Sequence, residues 1–215
     1  CMMENVNELV LGRDGRSSGE NLLVCLSKEL QKLGINIVNV GLVTSPLLYF
    51  AAKQLDSKSG VMITGSHNPK NYNGFKTVIN DAPISGTEIL SFASYELPKV
   101  TQLGKEIIKT DLLGEYVNEV VSQAEKKSKK MKVVVDCGNG AAGEIAPMLM
   151  RALGHEVIEL FCEIDGDFPN HHPDPGKLEN LKDLIKAVGD ESADIGVAFD
   201  GDGDRLGVIT NLGEV

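Results

Sequence analysis

The chain has 215 residues, 42% of them hydrophobic and 24% charged, with a formal net charge of −10. That length suits one large domain or two small ones, and the balance of residues is that of a globular interior, which excludes a disordered chain. The acidic surplus excludes a general nucleic-acid binder, which needs a basic face, and the apolar runs are far too short to span a membrane.

The four cysteines, Cys1, Cys25, Cys137 and Cys162, form no Cys-x-x-Cys pair, so neither a zinc site nor a dithiol motif is indicated. Cys25 and Cys137 have apolar neighbours and read as buried thiols, which fits a reducing, cytoplasmic compartment. The opening Cys-Met-Met-Glu-Asn lacks the basic and apolar regions of a signal peptide.

In chain order, strand and helix patterns alternate. Residues 9–11 form a short apolar strand that runs into Gly-Arg-Asp-Gly-Arg at 12–16. Residues 20–33 repeat leucine at Leu22, Leu26, Leu30 and Leu33, one face of a helix, with Ser17 and Glu20 at capping-box spacing and Gly34 as the stop. A strand over 35–40, a helix over 46–55 with Pro46 in its first turn, and a strand over 60–64 follow. A strand over 76–79 and a helix over 87–95 complete the first unit. A helix over 111–130, ending in Lys126, Lys127, Lys129 and Lys130, reads as a solvated connector, since lysines suit a helix C-terminus. The second unit repeats the alternation: strand 132–135, helix 143–153, strand 156–160, helix 178–188, strand 195–199, and a strand over 206–210 that could return beside it before the turn at Asn211-Leu212-Gly213. Two such units in succession predict an α/β protein with mostly parallel mixed sheets, divided as 1–110 and 111–215.

The densest chemistry lies in Asp200-Gly201-Asp202-Gly203-Asp204-Arg205, directly after an apolar strand. Three carboxylates at alternate positions repel one another unless a divalent cation neutralises them, and hard oxygen ligands suit Mg²⁺ or Ca²⁺. An EF-hand is excluded: Arg205 stands where its sixth-position glycine belongs, Asn211 where its twelfth-position glutamate belongs, and strands flank the loop. The bland reading is an acidic turn at a strand end.

A second loop, Thr64-Gly65-Ser66-His67-Asn68-Pro69, also leaves a strand, and Asn73-Gly74-Phe75-Lys76 follows it. A serine at a strand's carboxyl end among small polar residues is a candidate nucleophile, although the Gly-x-Ser-x-Gly elbow of hydrolases is absent. Taken singly, His67 is an ordinary polar loop residue and Lys76 a surface lysine. Gly138-Asn139-Gly140-Ala141-Ala142-Gly143 matches Gly-x-Gly-x-x-Gly between a strand and a helix, with Glu159 about 20 residues on, the context of a dinucleotide site. That reading leaves both other loops without a purpose; a tight strand-to-helix turn accounts for the glycines equally well.

With the Ser66 and Asp200 loops both in view, the sequence resembles the α-D-phosphohexomutase superfamily. The matching stretches are residues 12–16, 64–69, 73–76 and 200–205. Val-Val-Val-Asp-Cys-Gly-Asn-Gly (133–140) and Phe-Pro-Asn-His-His-Pro-Asp-Pro (168–175) make it most similar to the bacterial phosphomannomutase/phosphoglucomutase group, rather than to phosphoglucosamine mutases. The resemblance implies the front half of a four-domain enzyme, with a phosphoserine at Ser66 and Mg²⁺ held by Asp200, Asp202, Asp204 and an oxygen on Ser66. It implies acid–base work for Lys76, orientation or charge neutralisation by His67, and phosphate contacts for Arg205, with Arg13 and Arg16 either supporting the phosphate or bracing the fold. The partners it implies are the 1- and 6-phosphates of mannose and glucose and a hexose 1,6-bisphosphate, with no nucleic acid and no membrane. The family's earlier N-terminal arginine loop, its sugar-specificity loop and its C-terminal phosphate-binding domain have no counterpart here, so full turnover by this stretch alone is not expected. The competing classes are a metal-dependent sugar phosphatase and a non-catalytic phosphosugar-binding fragment.

Overall fold

A computed structural model describes residues 6–94, 100–124 and 129–215. Two sheets are present. The first has β1 (Glu8–Arg13), β2 (Asn36–Leu42), β3 (Gly60–Ile63), β4 (Phe75–Ile79), β5 (Ala82–Ile84) and β6 (Glu106–Ile108) in the order β5-β4-β3-β1-β2-β6. Its pairings are parallel from β3 to β6, while β4 and β5 run antiparallel at one edge. The second has β7 (Lys132–Asp136), β8 (Glu156–Leu160), β9 (Ile195–Phe199) and β10 (Leu206–Thr210) in the order β10-β9-β7-β8, with only β10 antiparallel. The α/β class with mixed, mainly parallel sheets is therefore as expected.

The central strands are buried on both faces, as parallel strands between helical layers must be. Leu9 and Leu11 of β1, with Val61 and Ile63 of β3, face α1 (Gly19–Lys32) and its Leu22, Leu23, Leu26 and Leu30. Val10 and Met62, one residue out of phase, point to the other side. There they meet α2 (Ser45–Lys53) and α4 (Leu112–Gln123) through Leu47, Leu48, Leu112 and Val117. That cluster also takes in Ile145 of α5 (Ile145–Ala152), whose neighbour Ala146 packs on Val133 and Val135 of β7. One helical layer thus lies between the two sheets and belongs to both. Phe50 of α2 and Tyr116 of α4 meet edge-to-face within it, ring centroids 5.3 Å apart. The far side of the second sheet is closed by Leu184 and Val188 of α6 (Lys182–Asp190) against Val134, Ala198 and Ile209.

Several local expectations need correcting. Cys25 is exposed: it lies on α1 two residues from buried Leu23, which at helical periodicity is nearly the opposite face. Cys137 is buried as expected. The Ser17/Glu20 capping box does not form. The N-cap is Ser18, already helical in its backbone, its hydroxyl accepting from Asn73 (2.9 Å), and Glu20 reaches Arg13 instead. Helix α4 stops at Gln123, so Lys129 and Lys130 lie outside it, and Lys126 and Lys127 are outside the described residues. The helix expected over 87–95 is a short α3 (Gly86–Ser91) continued by a 3₁₀ turn to Ser94, and Tyr95 is outside the described residues. Strands β5 and β6 went unread: three residues each, and β6 exposed throughout, they carry no alternation to detect.

The topology sets where chemistry can sit. From β1 the chain winds outward to β2 on one side, then returns to place β3 on the other; β7, β8 and β9 repeat the manoeuvre. Each sheet therefore has a switch point, between β1 and β3 and between β7 and β9, where loops diverge at the strands' carboxyl ends and leave a crevice. The Ser66 loop leaves the first and the Asp200 loop the second.

Candidate functional site

At the first switch point the backbone is held by a buried ion pair. Asp14 and Arg16 are each 1% exposed, with Arg16 Nε 3.1 Å from Asp14 Oδ2. The same oxygen accepts from the Thr64 hydroxyl (2.7 Å) and the Gly65 N–H (3.3 Å). Burial pushes the Asp14 carboxyl up, against the opposing pull of its hydrogen bonds to Arg16 and Thr64. The remaining Arg16 donors go to the carbonyls of Ser66 (2.8 Å), Asn68 (2.7 Å), Pro69 (2.6 Å) and Tyr72 (3.0 Å). All five guanidinium N–H groups are thus matched by protein acceptors. Ser66 itself has φ = +49°, a left-handed backbone that a non-glycine residue adopts at a cost of roughly 1–3 kcal/mol, supplied here by this clamp.

At the second switch point, Asp200 and Asp202 are fully buried, while Asp204 is exposed. Ligand oxygens of all three lie within 4.8 Å of one another. Asp200 Oδ1 accepts the N–H groups of Asp204 (3.0 Å) and Arg205 (3.1 Å), which curls the loop back on its first residue. Burial, and then the charge of Asp202, push the Asp200 carboxyl up to about 6. Burial acts on Asp202 in the same direction, but hydrogen bonds from Lys76 and Ser45 outweigh it and hold that carboxyl below the ordinary value.

The two loops touch. The Ser66 hydroxyl donates to Asp200 Oδ2 at 2.9 Å, and His67 Nδ1 lies 3.4 Å from Ser66 Oγ. A Cβ on Gly201 would come within 2.5 Å of the Ser66 carbonyl, so only glycine allows the loops to close to this distance. Lys76, on β4, places its ammonium 2.6 Å from both Asp202 Oδ2 and Asp204 Oδ2. Burial alone would lower its pKa, but these two carboxylates raise it, so it is a firm cation. Arg205 is exposed, and its guanidinium has no partner among the described residues. Arg13 spends its donors on the Asp14 carbonyl (3.1 Å) and the Glu20 carboxylate (3.7 Å).

Sequence reasoning missed Asp14, Thr64 and Ser45. The N–H of Ser45 donates to the Asp202 carbonyl (2.9 Å) and its hydroxyl to Asp202 Oδ2, so the amino end of α2 sits against the acidic loop. Ser45 gave no signal beyond the helix start marked by Pro46. Asp14 lay inside a quoted motif, and its role could have been sought as the counter-charge to a neighbouring arginine.

The residues fit a hard divalent cation. Asp202 Oδ1 is buried with no hydrogen-bond partner, the one such side-chain atom among the described residues. An unmatched carboxylate oxygen costs too much to bury unless something positive meets it. The Gly138–Gly143 turn, by contrast, is filled by the protein: a Cβ on Gly143 would collide with the Cys162 carbonyl, and one on Gly140 would stand 3.0 Å from the Gly201 carbonyl. These glycines serve internal packing, which accounts for them without a dinucleotide.

Two family models match the chain, both described as phosphoglucomutase/phosphomannomutase: alpha/beta/alpha domain I over residues 2–91 and domain II over residues 114–213. A phosphomannomutase/phosphoglucomutase of Pseudomonas putida is 53% identical over 97% of the chain, and a phosphoglucomutase of Neisseria gonorrhoeae 45% identical over 99%. The chain spans 45% and 46% of the length of these curated relatives. The crystal structure of a phosphoglucomutase/phosphomannomutase family protein from Burkholderia thailandensis matches 99% of the chain at 41% identity with a TM-score of 0.90, over 48% of its own length.

Proposed function

The chain belongs to the phosphoglucomutase/phosphomannomutase family, and from that premise we propose that it carries the phosphoserine and the metal loop of a phosphohexomutase. The substrates are the 1- and 6-phosphates of glucose and mannose. Residues 1–110 and 111–215 act as its first two units. The observation that carries this reading is the contact of Ser66 Oγ with Asp200, beside an Asp202 oxygen that has no partner.

Ser66, once phosphorylated, gives its phosphoryl group to a free hydroxyl of the bound hexose monophosphate. The Ser66 O–P bond breaks, a sugar O–P bond forms, and the sugar hydroxyl proton passes to a base while Ser66 becomes protonated. The hexose 1,6-bisphosphate turns over in the site, and its other phosphate returns to Ser66. Such transfers need alignment and charge stabilisation more than covalent help. Asp200, Asp202 and Asp204, with an oxygen on Ser66, would hold Mg²⁺, which would supply charge withdrawal at the transferring group. Lys76 already holds a proton at Nζ beside these carboxylates, so it serves the acid–base step as its acid. His67 orients the serine. Arg205, with its free guanidinium, takes phosphate oxygens. Arg16 braces the Ser66 loop, since four of its donors go to the loop's carbonyls and the fifth to Asp14. Arg13 holds the start of α1. The free thiols of Cys137 and Cys162 suit a cytoplasmic setting; no helix among the described residues is long and apolar enough to cross a membrane.

The test is the intact mass of the complete protein before and after exposure to glucose 1,6-bisphosphate with Mg²⁺, beside Ser66→Ala. A gain of one phosphate in the parent and none in the variant is the expected result. No gain in either, with the fold intact, overturns the mutase reading in favour of a phosphatase or a binding module.

A further inference from the structure

The stretch 168–175 has no part in the chemistry just described, yet it lies against the Ser66 loop. Phe168 places its ring 5.3 Å from the Arg16 guanidinium carbon, and Asp167 pairs with Lys70 at 2.9 Å. The Nε2 of His172 stands 2.5 Å from the carbonyl of His67, the residue that follows the serine. A carbonyl only accepts, so His172 is the donor.

Behind it, His171 Nδ1 lies 3.0 Å from the His172 carbonyl, and His171 Nε2 lies 3.1 and 3.0 Å from the two oxygens of Asp136. Both ring nitrogens therefore face acceptors, which requires both to carry hydrogens. Asp136 is fully buried and also accepts the Gly138 N–H at 2.9 Å. Burial alone would drive His171 neutral, but Asp136 outweighs it and raises the pKa. The charged groups that bear on the ring are Asp136 on β7 and Asp183 on α6. Gly138 completes the seat: a Cβ there would stand 3.1 Å from both His171 Cε1 and Pro173 Cβ.

We propose that His171 and His172 are positioning residues for phosphoryl transfer: His171, held as a cation by Asp136, fixes the 168–175 stretch on the second sheet, and His172 fixes the Ser66 loop of the first sheet from it. This rests on Ser66 being the phosphoryl carrier. It assigns work to the Phe-Pro-Asn-His-His-Pro stretch that binding of substrate or metal does not require of it.

The experiment compares the complete wild-type protein with His172→Ala, which loses the donor, and His172→Gln, which keeps one. Three readouts are taken: amide exchange across residues 65–69, kcat and KM with glucose 1-phosphate, and the protonation of the His171 ring nitrogens by NMR at neutral pH. Expected are faster exchange in His172→Ala, a fall in kcat of about 10- to 100-fold at little-changed KM, recovery of both in His172→Gln, and a His171 ring protonated at both nitrogens. Unchanged exchange in His172→Ala overturns the proposal, as does an unchanged kcat in an active enzyme, or a neutral His171. A wild type that takes up no phosphoryl group defeats the assignment of Ser66 instead, and the exchange and NMR readouts still decide whether the histidines hold the loop.

Discussion

The loop after β3 and the loop after β9 meet at one hydroxyl, but their charges are arranged in opposite ways. Around Ser66 every strong donor is matched: Arg16 spans four carbonyls and Asp14 receives three donors on one oxygen. Around Asp200, two of the three carboxylates share one lysine, and an oxygen of Asp202 has no partner. The first loop is complete as folded and is therefore stiff. The second is electrostatically incomplete, and its unpartnered oxygen suits a cation. A nucleophile must be placed before reaction, whereas a metal site must favour its ion over its own side chains, and the contrast suits the two tasks proposed for these loops.

The largest expected effect attacks the complete loop. Arg16→Met leaves Asp14 as a buried charge without its partner, which costs about 3–5 kcal/mol. Urea unfolding should show that loss, and a variant within 1 kcal/mol of wild type, on the order of a surface change, would break the claim that this loop is the rigid one. Next comes the incomplete loop. Mg²⁺ at a hundred times its dissociation constant should stabilise the wild type by about 2.7 kcal/mol in thermal unfolding. Asp200→Asn should lose that gain while unfolding no more easily than wild type without the ion. An equal gain in the variant would place the cation elsewhere.

A smaller effect concerns His171, which seats the 168–175 stretch on Asp136. The folded pKa of His171 lies above its ordinary 6.5 because the hydrogen bond and charge of Asp136 outweigh burial. Its contribution to stability is then complete below pH 6.5 and fades as pH rises through the folded value. The stability gap between wild type and His171→Phe should accordingly narrow with rising pH; a gap that widens would refute the imidazolium. The smallest effect is a control on the outer face of the first sheet. Cys25→Ser should change stability by less than about 0.5 kcal/mol, as exposed positions do. Cys137→Ser, in the core of the second sheet, should be measurably worse under the same denaturant titration.

Features confined to a contiguous run were open to reading. The alternation of Leu9, Val10 and Leu11, the three aspartates of 200–204 and the strand-end serine each announce their role through residue type and spacing. Roles created by folding were not. Arg16 meets the Ser66 carbonyl 50 positions away, and Ser45 meets Asp202 across 157. Nothing local distinguishes Arg16 from Arg13, since each follows directly on a glycine in the same run, yet one is enclosed and the other stands at the rim. The helix ends were misjudged where tertiary contacts replaced local capping, as at Ser18, whose hydroxyl serves Asn73.

The helical layer between the sheets has a mechanical consequence. Since Leu48, Val117 and Ile145 share one packed cluster, the span from serine to metal loop is gauged by side-chain volume and not by a tether. A void opened there, as by Leu48→Ala, would not only weaken the protein; it would also loosen the registration of the Ser66 and Asp200 loops.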